Sequence, residues 1–334
     1  MRLPQPRGPL SEQVNAALHP HGETDAFARI RVPRRSVAVL EDDDVQLSLW
    51  TLYELHYRGF DDIGDHEWDP SAIRLRRRLE ADFEDELRQR TAAHVRQALH
   101  AGAGLVEQVS LLTDALEGPN LAGYIQRQAT AEQIRDFLAQ RSLYHLKESD
   151  PHAFVLPRID GREKTALAEL LYDEYGAGRP DRLHARMFAA ALEACGLDST
   201  YGAYVDRVPA RTLAVNNVMS LFGLNRRLRG AALGHLAAFE STSSLPCRRI
   251  ATGIERLELP DVVAEYFREH IEADAVHEQI AIYDICGGLL DTEPGLLPDM
   301  LFGVAACFYL DVLAGEALLG SWAGLSGSAE RAAS

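Results

Sequence analysis

The chain has 334 residues, a length that divides into about two domains, and 46 % of them are hydrophobic, enough for a sizeable core. Its 34 lysines and arginines against 50 aspartates and glutamates leave a formal charge of −16, the wrong sign for a protein that tracks a nucleic-acid backbone. Cys195, Cys247, Cys286 and Cys307 lie far apart with no Cys-x-x-Cys pair, which argues against a disulfide framework or a zinc ribbon.

Residues 1–26, rich in Pro, Gly and His, read as a loose leader without the apolar core of a secretion signal. Over 27–40, FARIRVPRRSVAVL, β-branched alternation predicts a short strand or hairpin. From there the periodicity is helical. Asp69-Pro70-Ser71 is a helix start, followed by Ile73, Leu75, Leu79, Phe83 and Leu87 at helical spacing. Thr130 with Gln133 predicts a capping box for a helix that runs to about Lys147 and stops at Asp150-Pro151. Further helices are expected over about 162–175, 181–194, 208–222, 225–242, 259–282 and 296–321. The first two are separated by Gly176-Ala177-Gly178-Arg179-Pro180, with Asp181 as a candidate N-cap. The most hydrophobic stretch, Leu301 to Trp322, carries Asp311 and Glu316 and therefore reads as a buried helix, not a bilayer span. The expectation is an all-α, soluble, cytoplasmic protein. A mostly helical extension covers 1–120, a larger bundle follows a boundary near Gly118-Pro119-Asn120 and covers 121–325, and 326–334 form a flexible tail.

Three clusters carry chemistry. His270, Asp274 and His277 stand at offsets of 0, 4 and 7, which puts them on one stripe of a helix, where two imidazoles and a carboxylate can ligate a transition metal such as iron. A solvated polar face gives the same spacing, and Glu269, Glu272 and Glu278 show that this helix has one. Glu174 ends one helix and His184 begins the next, and the glycine-rich turn between them would bring the two side chains together. A surface glutamate and a core histidine are the plainer readings. Glu240 closes an otherwise small and apolar helix, where an ionised carboxylate is costly unless paired or metal-bound. Gly230 and Gly234 on that helix suit close packing. Arg229, eleven residues before Glu240, lies on nearly the same face and is a candidate for a substrate carboxylate or an ordinary surface arginine. No Glu-x-x-His occurs, so the ligand pattern differs from that of ferritin-like bundles.

The order Glu148, Glu174, His184, Glu240, His270, Asp274, His277 resembles the haem-oxygenase-like diiron oxidases and oxygenases, in particular the branch of iron-containing redox enzymes that includes amine N-oxygenases of natural-product pathways. LYELHYRGF (52–60), HEWDPSAIRLRRRLE (66–80) and the stretch from KESDPHAF through FESTSS (147–244) extend the resemblance over most of the chain. The resemblance implies a haem-oxygenase-like helical bundle in which these seven residues hold two Fe(II) ions. Four carboxylates balance two divalent cations, and three neutral histidines complete a thiolate-free set. It further implies dioxygen as co-substrate, a peroxo-diferric intermediate, and an external electron donor, either a reductase or a chemical reductant. The expected reaction is N-oxygenation of an amine or guanidine on a small amino-acid-like substrate. The alternative is oxidative C–C cleavage, desaturation or decarboxylation of an amino or fatty acid by the same core. No nucleic-acid or membrane partner is expected, and by family analogy the extension could dimerise. Two readings from other classes are a haem protein with His145 as proximal ligand and a metal-free helical binding protein.

Overall fold

Apolar stripes at helical spacing build nearly all of the chain, and every regular element among the described residues is helical. In chain order the main helices are α1 (Pro9–Leu18), α2 (Asp43–Glu54), α3 (Pro70–His100), α4 (Leu105–Ala115), α5 (Leu121–Arg127), α6 (Ala131–His145), α7 (Gly161–Glu174), α8 (His184–Ala194), α9 (Ala210–Leu224), α10 (Arg229–Thr242), α11 (Ser244–Arg256), α12 (Asp261–Gln279) and α13 (Leu297–Ala332). This computed structural model describes residues 1–19, 25–34, 37–102 and 104–332, without the side chains of 272–275 and 324–332. The all-α class and the helical bundle match the expectation.

The expected start signals operate. Asp69 accepts hydrogen bonds from the Ser71 and Ala72 amides at the head of α3, and Thr130 and Gln133 close a reciprocal box at the head of α6. Asp150-Pro151 does not end a helix, as expected, but begins the short turn Asp150–Ala153, where proline in the first turn costs no hydrogen bond. Asp181 does not cap α8, which starts at His184 with Leu183 in the cap position.

Two further expectations fail at the amino terminus. Residues 9–18 are not a loose leader but α1, whose Leu10, Val14 and Leu18 recur every fourth residue and are fully buried. Each such side chain contributes roughly 1.5–3 kcal/mol. Its cap comes from another helix: both carboxylate oxygens of Asp44 in α2 accept from the Leu10 and Ser11 amides, at 2.8 and 2.7 Å. The strand expected over 27–40 is also absent among the described residues. Ala26–Arg29 form one helical turn and Val39–Glu41 a 3₁₀ turn. Alternation alone supplies no neighbouring edge to pair with. Here a side chain does that work, the Glu86 carboxylate accepting from the Val39 amide at 2.6 Å.

One apolar core runs from Leu10 and Trp50 through Phe83, Phe188 and Phe222 to Leu310. Helices α10 and α13 meet backbone to backbone within it. A Cβ on Gly234 would lie 2.0 Å from the Met300 carbonyl oxygen, and one on Gly303 would lie 2.0 Å from that of Ala231. One helical stretch, Pro294–Ala323, is long and apolar enough to cross a membrane; its Met300, Val304, Ala306 and Leu310 are packed inside the protein.

Two local devices position the site. Between α7 and α8, Gly176, Ala177 and Gly178 all have left-handed backbone, at φ 80°, 51° and 79°, and a Cβ on Gly176 would lie 2.4 Å from the Arg179 carbonyl oxygen. This reversal sets the last residue of α7 against the first of α8. The second device is a π-helical segment, Ile280–Cys286, which widens the chain three residues beyond His277 before it resumes as helix over Gly287–Thr292.

Candidate metal centre

Glu148 sits in the turn after α6, its amide bonded to the Tyr144 carbonyl at 2.7 Å. Glu174 ends α7, His184 opens α8, Glu240 lies in the last turn of α10, and α12 presents His270 and His277. All six side chains are buried. They form two triads, Glu148–His184–His270 and Glu174–Glu240–His277, and within each triad the donor atoms lie within 4.8 Å of one another. The seventh expected ligand, Asp274, belongs to α12, and its side chain lies outside the described residues.

Glu174 joins the triads. Its Oε2 is 3.1 Å from His184 Nδ1 and its Oε1 is 3.4 Å from His277 Nδ1, which in turn lies 3.5 Å from Glu240 Oε2. His270 Nε2 is 3.3 Å from Glu148 Oε1, and the His184 and His270 rings are 4.6 Å apart. His184 Nδ1 is enclosed and makes no hydrogen bond despite its carboxylate neighbour. His184 Nδ1 and its carboxylate neighbour thus face one another without hydrogen-bond geometry, as ligands arranged around one ion do. The triads offer only nitrogen and oxygen, a set that fits iron and disfavours copper(I).

The electrostatics agree. Burial works to raise the Glu148 carboxyl, but hydrogen bonds from His145 and His270 outweigh it and hold the group well below the usual carboxylate range. Burial works against the charged form of His270, yet Glu148 wins and moves it up to about 10. His184 is likewise raised by Glu174 against burial. The carboxylates thus favour the cationic form of His270 and His184, and a metal ion taking the same nitrogens would compete with protons there.

Around the triads a second set of groups holds the ligands. His270 Nδ1–H donates to the Tyr266 carbonyl at 2.9 Å, which turns Nε2 toward the site. The Tyr266 hydroxyl donates to Glu148 Oε1 at 3.2 Å and lies 2.6 Å from His145 Nδ1. Ser149 donates to Glu174 Oε2 at 3.2 Å, and Asp173 lies 3.6 Å from His277 Nε2. Sequence reasoning missed Tyr266, Ser149 and Asp173 and considered His145 only as a haem ligand. A signal existed: Ser149 and Asp173 adjoin ligands in sequence, and Tyr266 is one turn from His270 on the same stripe. Arg229 pairs with Glu293. Eleven residues at about 1.5 Å each also set it ~16 Å along the axis from Glu240, on the right face but at the wrong end.

A cavity of about 260 Å³ adjoins the centre. Tyr144 and Phe239, with ring centroids 5.1 Å apart, line both this cavity and the metal pocket, so a single layer of side chains separates the two spaces.

Residues 135–312, just over half of the chain, match the family described as iron-containing redox enzymes, and this span contains all seven expected ligands. The nitrosourea synthase of Streptomyces achromogenes subsp. streptozoticus is 28 % identical over 171 residues, which are 51 % of this chain and 36 % of that protein. The match therefore spans about a third of the relative's length. With its two buried histidine–carboxylate triads, the chain belongs to the iron-containing redox enzyme family.

Proposed function

We propose that the chain holds two ferrous ions and N-oxygenates an amine or guanidine of an amino-acid-like substrate, using dioxygen and an external electron donor. The observation that carries this reading is Glu174, whose two oxygens face histidines of different triads and which can therefore serve two metals at once. Glu148, His184 and His270 would hold one ion, and Glu174, Glu240 and His277 the other, with Asp274 as a seventh ligand. The relative's name supports nitrogen as the atom oxidised, since a nitrosourea contains an N–N=O group.

Bound there, the ferrous pair would supply two electrons to dioxygen. For an amine the balance is R–NH₂ + O₂ + 2 e⁻ + 2 H⁺ → R–NHOH + H₂O, so each turnover draws two electrons from the donor. The chain's own side chains position and shield. His270 is locked by the Tyr266 carbonyl, the Tyr266 hydroxyl and His145 hold a proton beside Glu148, and Tyr144 and Phe239 keep bulk water from the pocket. A second reading, oxidation at carbon of an amino or fatty acid, draws support from Val218, Phe267 and Phe308 in the cavity wall, which suit an aliphatic chain.

The test is anaerobic titration with iron(II), then exposure to ¹⁸O₂ with candidate amino acids and a reductant, followed by mass spectrometry. Two irons per chain and ¹⁸O on nitrogen are expected. Saturation at one iron removes the dinuclear reading, and ¹⁸O at carbon removes the nitrogen reading.

A further inference from the structure

Tyr266 lies in α12 one turn before His270, and only 1 % of it is exposed. Its hydroxyl has three acceptors within reach: His145 Nδ1 at 2.6 Å and the two Glu148 oxygens at 3.2 and 3.4 Å. The contact with His145 is the short one. A neutral imidazole keeps one nitrogen lone pair, and Nδ1 is the nitrogen turned to the hydroxyl. The same Nδ1 lies 3.3 Å from Glu148 Oε1, so a proton that crossed from the phenol would meet a carboxylate already in place.

Aromatic groups pack the rest of the ring. Its centroid is 4.6 Å from that of His270, 5.0 Å from that of Phe188 and 5.1 Å from that of Phe267. The first contact joins Tyr266 to the Glu148–His184–His270 triad, and the other two help to exclude water. A phenol resists one-electron oxidation unless its proton leaves with the electron, because the cation radical is a very strong acid. A base at hydrogen-bond distance removes that obstacle, contact with the triad gives the electron a path, and dry surroundings let a phenoxyl radical last. Tyr266 has all three.

We propose that Tyr266 is a redox-active side chain that gives one electron to an oxidant formed from dioxygen in the metal pocket, while its proton passes to His145. The O–H bond of Tyr266 breaks and an N–H bond forms at His145 Nδ1. A neutral phenoxyl radical and an imidazolium beside the Glu148 carboxylate result, and the oxidant is reduced by one electron. When the external donor returns an electron to the radical, Nδ1 returns the proton and the pair is restored. Tyr266 and His145 thus form a one-electron reserve that is spent when dioxygen reacts without a substrate to consume the oxidant. The inference goes beyond the function proposed above, since it needs an oxidant in the pocket but neither a second iron nor a nitrogen substrate.

The test is freeze-quenching of the iron(II)-loaded, substrate-free protein after mixing with dioxygen, read by electron paramagnetic resonance together with iron per chain. A tyrosyl radical is expected, and growth on ring-deuterated tyrosine should collapse its hyperfine splitting in the otherwise unaltered protein. Tyr266→Phe keeps the ring and should abolish the signal at unchanged iron content. His145→Phe leaves Tyr266 in place and should lower the radical yield about tenfold, the worth of one hydrogen bond. In heavy water the wild-type radical should couple to one exchangeable deuteron, held at Nδ1, that His145→Phe lacks. A signal that survives Tyr266→Phe overturns the assignment, as does wild-type iron that turns ferric with no tyrosyl signal. An undiminished yield in His145→Phe overturns the proton transfer. A radical at one iron per chain, or with oxidation at carbon once substrate is added, sinks the proposed function and leaves this inference standing. Oxygen-18 on nitrogen from a protein that forms no radical does the reverse.

Discussion

Two buried polar clusters meet at adjacent residues of this chain, and they are built on opposite principles. Lys147 turns toward α2, where its ammonium and the Tyr201 hydroxyl both donate to Glu54 Oε1 at 2.7 Å, and where it lies 4.0 Å from the centre of the Tyr57 ring. Glu148, the next residue, turns the other way into the metal centre. In the first cluster a cation and an anion meet over a short hydrogen bond to Glu54 Oε1, while Glu54 Oε2 is enclosed without one. In the second, three carboxylates crowd three imidazoles, and His184 Nδ1 is enclosed without a hydrogen bond. A structural ion pair already holds its counter-ion within the protein, whereas a ligand cluster gains its cation only on binding the metal.

Breaking the second cluster has the largest expected effect on function. Glu174→Ala removes the carboxylate whose two oxygens face histidines of both triads. Groups that merely orient ligands already cost 10–100-fold when lost, so oxygen consumption should fall by more than about 100-fold. Iron per chain, measured by emission spectroscopy, should drop by at least one equivalent. The melting temperature of the metal-free chain should fall, because His184 and His277 lose their buried carboxylate neighbour. Full iron content in this variant would contradict the shared role of Glu174.

The first cluster should respond differently. Glu54→Ala leaves the Lys147 ammonium buried without its counter-ion, which costs about 3–5 kcal/mol. Chemical denaturation should show that loss, while iron per chain in the protein that remains folded stays at the wild-type value. A variant that keeps its stability and loses iron would mean that Glu54 serves the metal centre through Lys147.

The contrast also explains what the sequence made legible. His270 and His277 are readable because helical offsets fix their face before any tertiary contact exists, and Glu174 with His184 because a turn with three left-handed residues can only reverse the chain. Glu148 carries no local signal, and only its resemblance to a family pattern marks it out. Helix α1 escapes because its cap, Asp44, lies on another helix. Helix α11 escapes because Pro246 looks like a breaker, although in a first turn its missing amide costs nothing. His235 is invisible for a third reason: a histidine with no partner differs from a satisfied one only once the packing around it is known.

The histidines outside the triads sharpen the comparison through pH. Burial pushes His152 down to about 4 and His235 to about 3, from an ordinary value near 6.5. A ring whose folded value is depressed stays neutral in the native chain while the unfolded chain takes up protons. Its contribution is therefore complete above pH 6.5 and is lost as the pH falls toward the folded values. His270 behaves in reverse: raised to about 10, it is protonated in both states below pH 6.5 and contributes nothing to the acid slope there. Between pH 6.5 and 5 the metal-free protein should lose up to ~2 kcal/mol for each of the two depressed rings. His235→Phe should remove about half of that slope and leave stability above pH 7 unchanged or higher, since it deletes an unsatisfied buried atom. Urea unfolding at a series of pH values separates the cases. An unchanged slope in the variant would mean that His235 does not carry the depressed titration.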